Sequence, residues 1–236
     1  MNKHYAYNSP FKMKDQEGNE YTLTVELDDF SENPREWDNL CTMVCWHSNY
    51  SLGDKHKYDD SDEFMNYILH NVCGMEYEDF EELPTREKYK IACESDKVYI
   101  KQINLYDHSG ITVSTSVGYP YNDRWDSCCV GFIYVTKERV LKEIANANEV
   151  NWTAIADECI ENEMETYDQY VRGEVYWFRL AQKVMRQDLY PHCGEVIREY
   201  EDEEEIDSCG GFYGDCLEEN GILDNISNDI KFVEAI

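Results

Sequence analysis

Cys41, Cys45, His47 and His56 crowd one short stretch, "LCTMVCWHSNYSLGDKH" (40–56). Thiolates and imidazoles are zinc ligands, so a metal site is the first chemistry to weigh. The spacing matches no structural zinc pattern, and the chain holds neither C-x-x-C nor H-E-x-x-H. Cys41 and Cys45, four apart, would share one side of a strand and read as packed thiols. "DKHKYDDSDE" (54–63) is acid-rich but lacks the glycine and terminal Glu of a calcium loop. Asp107, His108 and Ser109 supply the residue types of a hydrolytic triad. A triad needs convergence in space, however, and neighbours at a hairpin turn make turn hydrogen bonds instead. There is no G-x-S-x-G and no P-loop. The enzyme alternative is a small metal-dependent hydrolase, with Trp46, His47, Asp54, His56, Asp107, His108 and Asp126 converging at a sheet edge. No catalytic residue, metal ligand or cofactor is assigned, and the chain reads as a binder rather than an enzyme.

Charge is the stronger signal. Fifty acidic residues against 21 basic ones give a formal net charge of −29. Three segments carry most of it: 54–82 is net −8, 157–168 is net −6 and 195–219 is net −10. A field of that sign repels nucleic acid and acidic membranes and attracts basic surfaces. Direct nucleic-acid or membrane binding is therefore excluded as a reading. Within 157–168, Glu158, Glu161, Glu165 and Asp168 follow i, i+3, i+7, i+10, which places four carboxylates on one helical face over roughly 15 Å. Neutralising all four would relieve like-charge repulsion and leave the fold intact. The run Glu201, Asp202, Glu203, Glu204, Glu205 leads into the glycine-rich patch "CGGFYGDC" (209–216), where Phe212 and Tyr213 are candidate apolar anchors. A solvated face or a flexible loop is the plainer account of such a run.

The elements that must position these groups follow from periodicity. "EYTLTVEL" (20–27) alternates Tyr21, Leu23, Val25 and Leu27, a half-buried strand. "LCTMVCWH" (40–47) and "CCVGFIYV" (128–135) read as buried strands. Segment 61–73 is a helix with Ser61 as its cap, and a short helix falls near 85–93. Segment 98–116 has the form of a hairpin turning at 107–110. Thr136 caps a further helix. The longest helix spans 151–171, capped by Asn151 or Thr153, ended by Gly173, and buries Ala156, Cys159, Ile160, Met164, Tyr167 and Val171. Segments 174–184 and 194–202 pair as a hairpin, followed by a glycine turn at 210–214, a short helix and a last element near 226–235. The sum is a single α+β domain over 1–236, with residues 1–18 as a flexible end and an antiparallel sheet with helices mostly on one face.

The hydrophobic fraction of 42% supports a real core. The first residues hold no apolar secretory stretch, and no apolar run approaches the length of a membrane span. Without a secretion route the ten cysteines are expected as reduced thiols in a cytosol.

Three regions together, "NPREWDNLCTMVCWHSNYSLGDKH" (33–56), "LYDHSGITVSTS" with "WDSCCVGFIYVTKERV" (105–140), and "ETYDQYVRGEVYWFRL" with "DSCGGFYGD" (165–215), resemble a family of acidic, functionally uncharacterised proteins carried by bacteriophages and other mobile elements. The similarity spans most of the chain beyond residue 30. Cys41, Cys128 and Cys129 stand where the pattern would have glycine or polar residues. The resemblance implies a setting, an accessory gene acting in the bacterial cytosol, and it brings no catalytic residues. In that setting an acidic protein is expected to inhibit a host defence system of the anti-CRISPR or antirestriction type by nucleic-acid mimicry. Its partner would be a basic nucleic-acid-binding protein or nuclease complex of the host. A third reading is an adaptor whose acidic surface binds a basic protein without blocking nucleic acid.

Overall fold

A computed structural model describes residues 3–108, 110–115 and 127–233. Along the chain run β1 (Phe11–Lys14), β2 (Glu20–Leu27), β3 (Thr42–Cys45), α1 (Ser61–Tyr67), α2 (Thr85–Glu94), β4 (Val98–Asp107), β5 (Ile111–Ser114), β6 (Ser127–Thr136), α3 (Lys137–Glu143), α4 (Trp152–Val171), β7 (Val175–Leu189), β8 (Val196–Tyr213) and β9 (Lys231–Phe232). The α+β class is the one expected. The strands, expected in one sheet, divide between two antiparallel sheets. Packing likewise divides the chain into two compact units, Met1–Glu32 with Gly173–Ile236, and Asn33–Arg172. Periodicity identifies a strand but not its partner, which is why the split is not legible locally.

In the unit built from the chain ends, the strand order is β8-β7-β2-β1-β9. Leu23 and Val25 stand opposite Leu180 and Phe178, and these join Met13, Leu217, Ile222 and Ile226 in one core. Residues 3–18 are not a loose end. Phe11 and Met13 alternate with lysines and make β1 a half-buried strand, Tyr5 bridges to Cys216, and the His4 ring stacks on Phe232 at 3.6 Å. Gly210 and Gly211 are not in a turn, as expected, but in a bulge of β8 opposite Trp177. Gly211 takes φ +81°, and its N–H donates to Asp28 Oδ2 at 2.9 Å.

The other unit, inserted in sequence between the two segments of the first, holds the sheet β3-β6-β4-β5. Here helices cover both faces rather than mostly one. Phe64, Ile68 and Ala92 of the α1–α2 region pack on Val44, Val98, Ile100 and Phe132. On the opposite face α3 and α4 pack on Met43, Ile103, Leu105, Ile133 and Val135. The consecutive apolar residues of "VGFIYV" (130–135) are the signature of a strand buried on both sides. Gly131 is demanded by close approach: a Cβ there would stand 2.1 Å from the Val44 carbonyl oxygen. Asp60, one residue before the expected Ser61, caps α1 by accepting from the N–H groups of Asp62 and Glu63, both at 2.9 Å. Thr136 caps α3 as expected. Asn151 stands at the cap position of α4 without capping it, its Oδ1 accepting instead from the Asn148 N–H at 2.7 Å.

Arg35 ties this unit together. Its Nε and Nη2 donate to the two Asp54 oxygens at 2.8 and 2.9 Å, Nη1 donates to Glu163 Oε2 at 2.8 Å, and Nη2 also reaches the Cys41 carbonyl at 2.9 Å. The two carboxylates accept in turn from the backbone N–H of Met43 and Cys41 at 2.8 and 2.9 Å. Burial opposes the guanidinium charge, and the hydrogen bonds from Asp54 and Glu163 more than offset it, so Arg35 is held above its ordinary pKa. Removing one partner from such a buried set strands a charge and typically costs about 3–5 kcal/mol. Glu163→Ala is accordingly expected to lower unfolding free energy by about 3 kcal/mol in urea titration, against less than about 0.5 kcal/mol for Glu158→Ala on the same helix. Equal effects would remove the network from its central place.

Candidate partner-binding surface

The two acidic sites lie in different units. On α4, core contacts fall at Trp152, Ala156, Ile160, Met164 and Tyr167, and the carboxylates take the rest of the circumference. Most of these carboxylates face the sheet rather than solvent alone. Asp157 pairs with Lys101 and accepts from the Tyr99 hydroxyl at 3.0 Å. Glu161 Oε1 accepts from Lys101 Nζ at 2.6 Å and from Thr115 Oγ1 at 2.7 Å. Asp168 Oδ1 accepts from the Val113 N–H at 2.8 Å and from the Thr112 hydroxyl at 2.5 Å. The Lys101 ammonium holds Asp157 below the ordinary carboxylate range.

Of the expected quartet, then, Glu158 and Glu165 are exposed and without a partner among the described residues, while Glu161 and Asp168 dock the helix on β4 and β5. The i, i+3 spacing correctly placed the four on one face. It could not show that the edge of that face meets Lys101, Thr112 and Val113, because those contacts are 55 to 60 residues away in sequence.

The run 201–205 is a strand, not a loop. It belongs to β8, which pairs with β7 from Val175↔Tyr213 to Leu189↔Val196. Pairing of β2 with β7 ends at Tyr21↔Gln182, so from Lys183 onward β7 and β8 continue as a two-stranded ribbon. β8 is also the edge of its sheet. The pleat sends alternate residues to opposite sides. Glu201, Glu203 and Glu205 stand opposite Met185, Lys183 and Ala181, while Asp202 and Glu204 stand opposite Val184 and Gln182. Arg179 holds Glu203 at 3.2 Å and Glu205 at 3.0 Å, and Arg186 holds Asp202 at 2.6 Å. Glu201 and Glu204 form no ion pair with another described residue.

Phe212 and Tyr213 are not free anchors. Phe212 packs on the core, its ring 5.6 Å from Phe178, and the Tyr213 hydroxyl donates to the Glu32 carbonyl at 2.7 Å. Exposed apolar side chains lie instead on the hairpin: Met185, Leu189, Tyr190, Val196, Ile197 and Ile206. The sequence signal for all of them but Ile206 is the apolar content of "VMRQDLYPHCGEVI" (184–197), which periodicity reads as the end of one hairpin strand, a turn and the start of the next.

Of the hydrolase set, Trp46, His47, Asp54 and His56 line one cavity of about 760 Å³, and several of their polar groups have partners of their own. Asp54 is committed to Arg35, and Asp107 accepts from the Tyr50 hydroxyl at 2.9 Å. The His47 ring stacks on Tyr50, with Nδ1 accepting from the Asn49 and Tyr50 N–H groups. His56 lies against Trp46 and Tyr58 and donates from Nε2 to the Cys45 carbonyl at 2.8 Å. Asp126 and Ser109 lie outside the described residues. Among the described residues no group of three or more His, Cys, Asp or Glu side chains is placed to hold a metal ion. All ten cysteines are free thiols. Burial pushes the Cys45 thiol up to about 12 and raises Cys41 as well, so neither is a ready nucleophile.

No helix among the described residues is long and apolar enough to cross a membrane. Compared with protein-family models, curated proteins and solved structures, the chain matches none.

Two outcomes are expected from this geometry. Asp168→Ala leaves the Val113 N–H without its acceptor and should cost about 1–3 kcal/mol in thermal or urea unfolding, whereas Glu165→Gln should stay within about 0.5 kcal/mol. Full neutralisation of the quartet is therefore not neutral for the fold, and an unchanged midpoint for Asp168→Ala would contradict the docking role. In thiol titration of the native protein, exposed Cys193 and Cys209 should react at once, and Cys41 and Cys45 only as the inserted unit opens. Fewer than ten thiols after denaturation without reductant would contradict the free-thiol state.

Proposed function

We propose that this chain is a binding protein that presents the β7–β8 ribbon to a basic surface, and that the surface belongs to a nucleic-acid-binding protein. The observation that carries the reading is the conformation of 201–205. An extended strand advances about 3.3 Å per residue, so five consecutive acids set one charge per step. DNA carries one charge per about 3.4 Å along each strand. Along its axis the run therefore repeats at the spacing of backbone phosphates, alternating between the two faces of the ribbon, with Glu201 and Glu204 left without an ion pair among the described residues, whereas the α4 quartet lacks that spacing. Arg179 and Arg186 offset part of this charge and hold the carboxylates in place. The apolar tip around Leu189, Tyr190, Val196 and Ile197 offers what pure charge lacks, since desolvated apolar contacts govern dissociation while long-range charge governs encounter.

With the phage and mobile-element setting implied by the resemblance, the target class is a host nuclease of the CRISPR or restriction type, and the outcome of binding is inhibition by occupying the nucleic-acid cleft. The test is binding of the purified chain to a panel of purified guide–nuclease complexes and restriction endonucleases, with DNA as competitor, across a salt series. Binding should weaken steeply with salt and be displaced by cognate DNA. Combined Glu201→Gln, Asp202→Asn and Glu204→Gln should slow association several-fold and flatten the salt slope, while Leu189→Ser with Val196→Ser should raise the dissociation rate. Tight binding that DNA does not displace would make the chain an adaptor, and binding indifferent to the ribbon changes would remove the ribbon from the interface.

A further inference from the structure

We propose that a cavity in the inserted unit, independent of the acidic ribbon, is a binding site for a small zwitterion with an apolar body: a free amino acid or dipeptide with an aromatic or branched side chain. The cavity lies between the start of α1, the start of α2 and the face of β4 and β6, and its volume is about 420 Å³. That is within the range of sites for small ligands. Its walls are aromatic and already fixed. Trp46 donates from Nε1 to the Tyr58 carbonyl at 3.0 Å, and Phe132 packs between Phe64 and Tyr89 at ring separations of 5.7 and 5.5 Å.

Three exposed charged residues line this cavity: Asp60, which caps α1, and two of opposite sign without such a duty, Arg86 and Asp59. Neither forms an ion pair with any described residue, and they do not bridge each other, so their charged atoms stand more than 4.0 Å apart. Arg86 is the more telling of the two. In a chain of net charge −29 its guanidinium has no carboxylate partner among the described residues. It sits in the first turn of α2, where the helix dipole disfavours a cation; the same turn holds Glu87, which pairs with Lys90, and Thr85, which donates to Asp62. An anionic group bound there would pair the guanidinium. A simple anion, however, would meet Asp59 on the other wall, with Asp60 beside it. A simple cation would meet Arg86, and a neutral aromatic molecule would leave both charges unanswered. A carboxylate toward Arg86, an ammonium toward Asp59 and an apolar side chain over Trp46, Tyr89 and Phe132 satisfy all three conditions, and the exposed Gln102 amide on β4 is at hand for a peptide group.

Isothermal titration of the full chain with L-phenylalanine, L-leucine and the dipeptide Leu-Leu tests this, alongside phenylalanine amide and N-acetylphenylalanine. Saturable binding is expected for at least one zwitterion, and each blocked form should bind at least about tenfold more weakly. Arg86→Gln should abolish the preference for acid over amide, and Asp59→Asn the preference for free over acetylated amine. Both positions are exposed, and an unchanged melting temperature without ligand would show that the variants fold. Absence of saturable heat with any zwitterion, equal binding of the blocked forms, or variants that keep both preferences would overturn the proposal.

Discussion

Arg35 is the constraint on which the inserted unit depends. A guanidinium out of water is costly, and it is tolerated only where its donors are met in a fixed planar geometry. Here the fork is met by Asp54, Glu163 and the Cys41 carbonyl, from a loop, a helix and the entry to β3. Each carboxylate then accepts a backbone N–H from the same β3 region, so one side chain fixes the loop, the helix and the edge strand together. Tyr167 reinforces the arrangement by accepting the Gly53 N–H at 2.9 Å.

The same economy explains how a chain so acidic folds at all. Self-repulsion opposes a compact state of high net charge, and scattered surface ion pairs return little. In this protein many carboxylates act instead as acceptors for donors that would otherwise be buried without partners. Asp60 caps a helix, Asp168 takes a strand N–H, Glu163 and Asp54 serve Arg35, and Asp62 receives the buried Lys88 ammonium at 2.8 and 2.9 Å. What remains for a partner is the subset with no internal duty, and that subset is smaller than the formal charge suggests.

Elements were legible where they are local. The alternation of "EYTLTVEL" placed β2 at its observed bounds, Thr136 was recognisable as a cap, and the apolar stripe of α4 holds at Ala156, Ile160, Met164 and Tyr167. The same stretches did not disclose their partners. Nothing in residues 11–27 shows that they pair with residues beyond 174, because a strand reads the same whichever chain segment lies beside it. Charge was misjudged in the same way. A run of five acids looks like a loop until a facing strand supplies Arg179 and Arg186, and a helix face looks solvent-exposed until Lys101 and Val113 are brought to its edge. Arg35 itself gave no signal, since a single arginine after "NP" has no pattern to mark it as buried.

The acidity of β8 also bears on what can pair with its open edge. A long edge strand with open backbone groups and exposed Ile197 and Ile206 is a template for pairing with another copy. Glu199, Glu201, Glu203 and Glu205 repeat along it, so a second β8 brought alongside in either direction would set carboxylate against carboxylate. Like charges directly opposed are destabilising, and the net −29 of each molecule adds a long-range barrier to approach. A basic extended surface meets neither obstacle. The same side chains that keep the edge from its own copies thus leave it open to a partner of opposite charge, and specificity follows from what is repelled as much as from what is attracted.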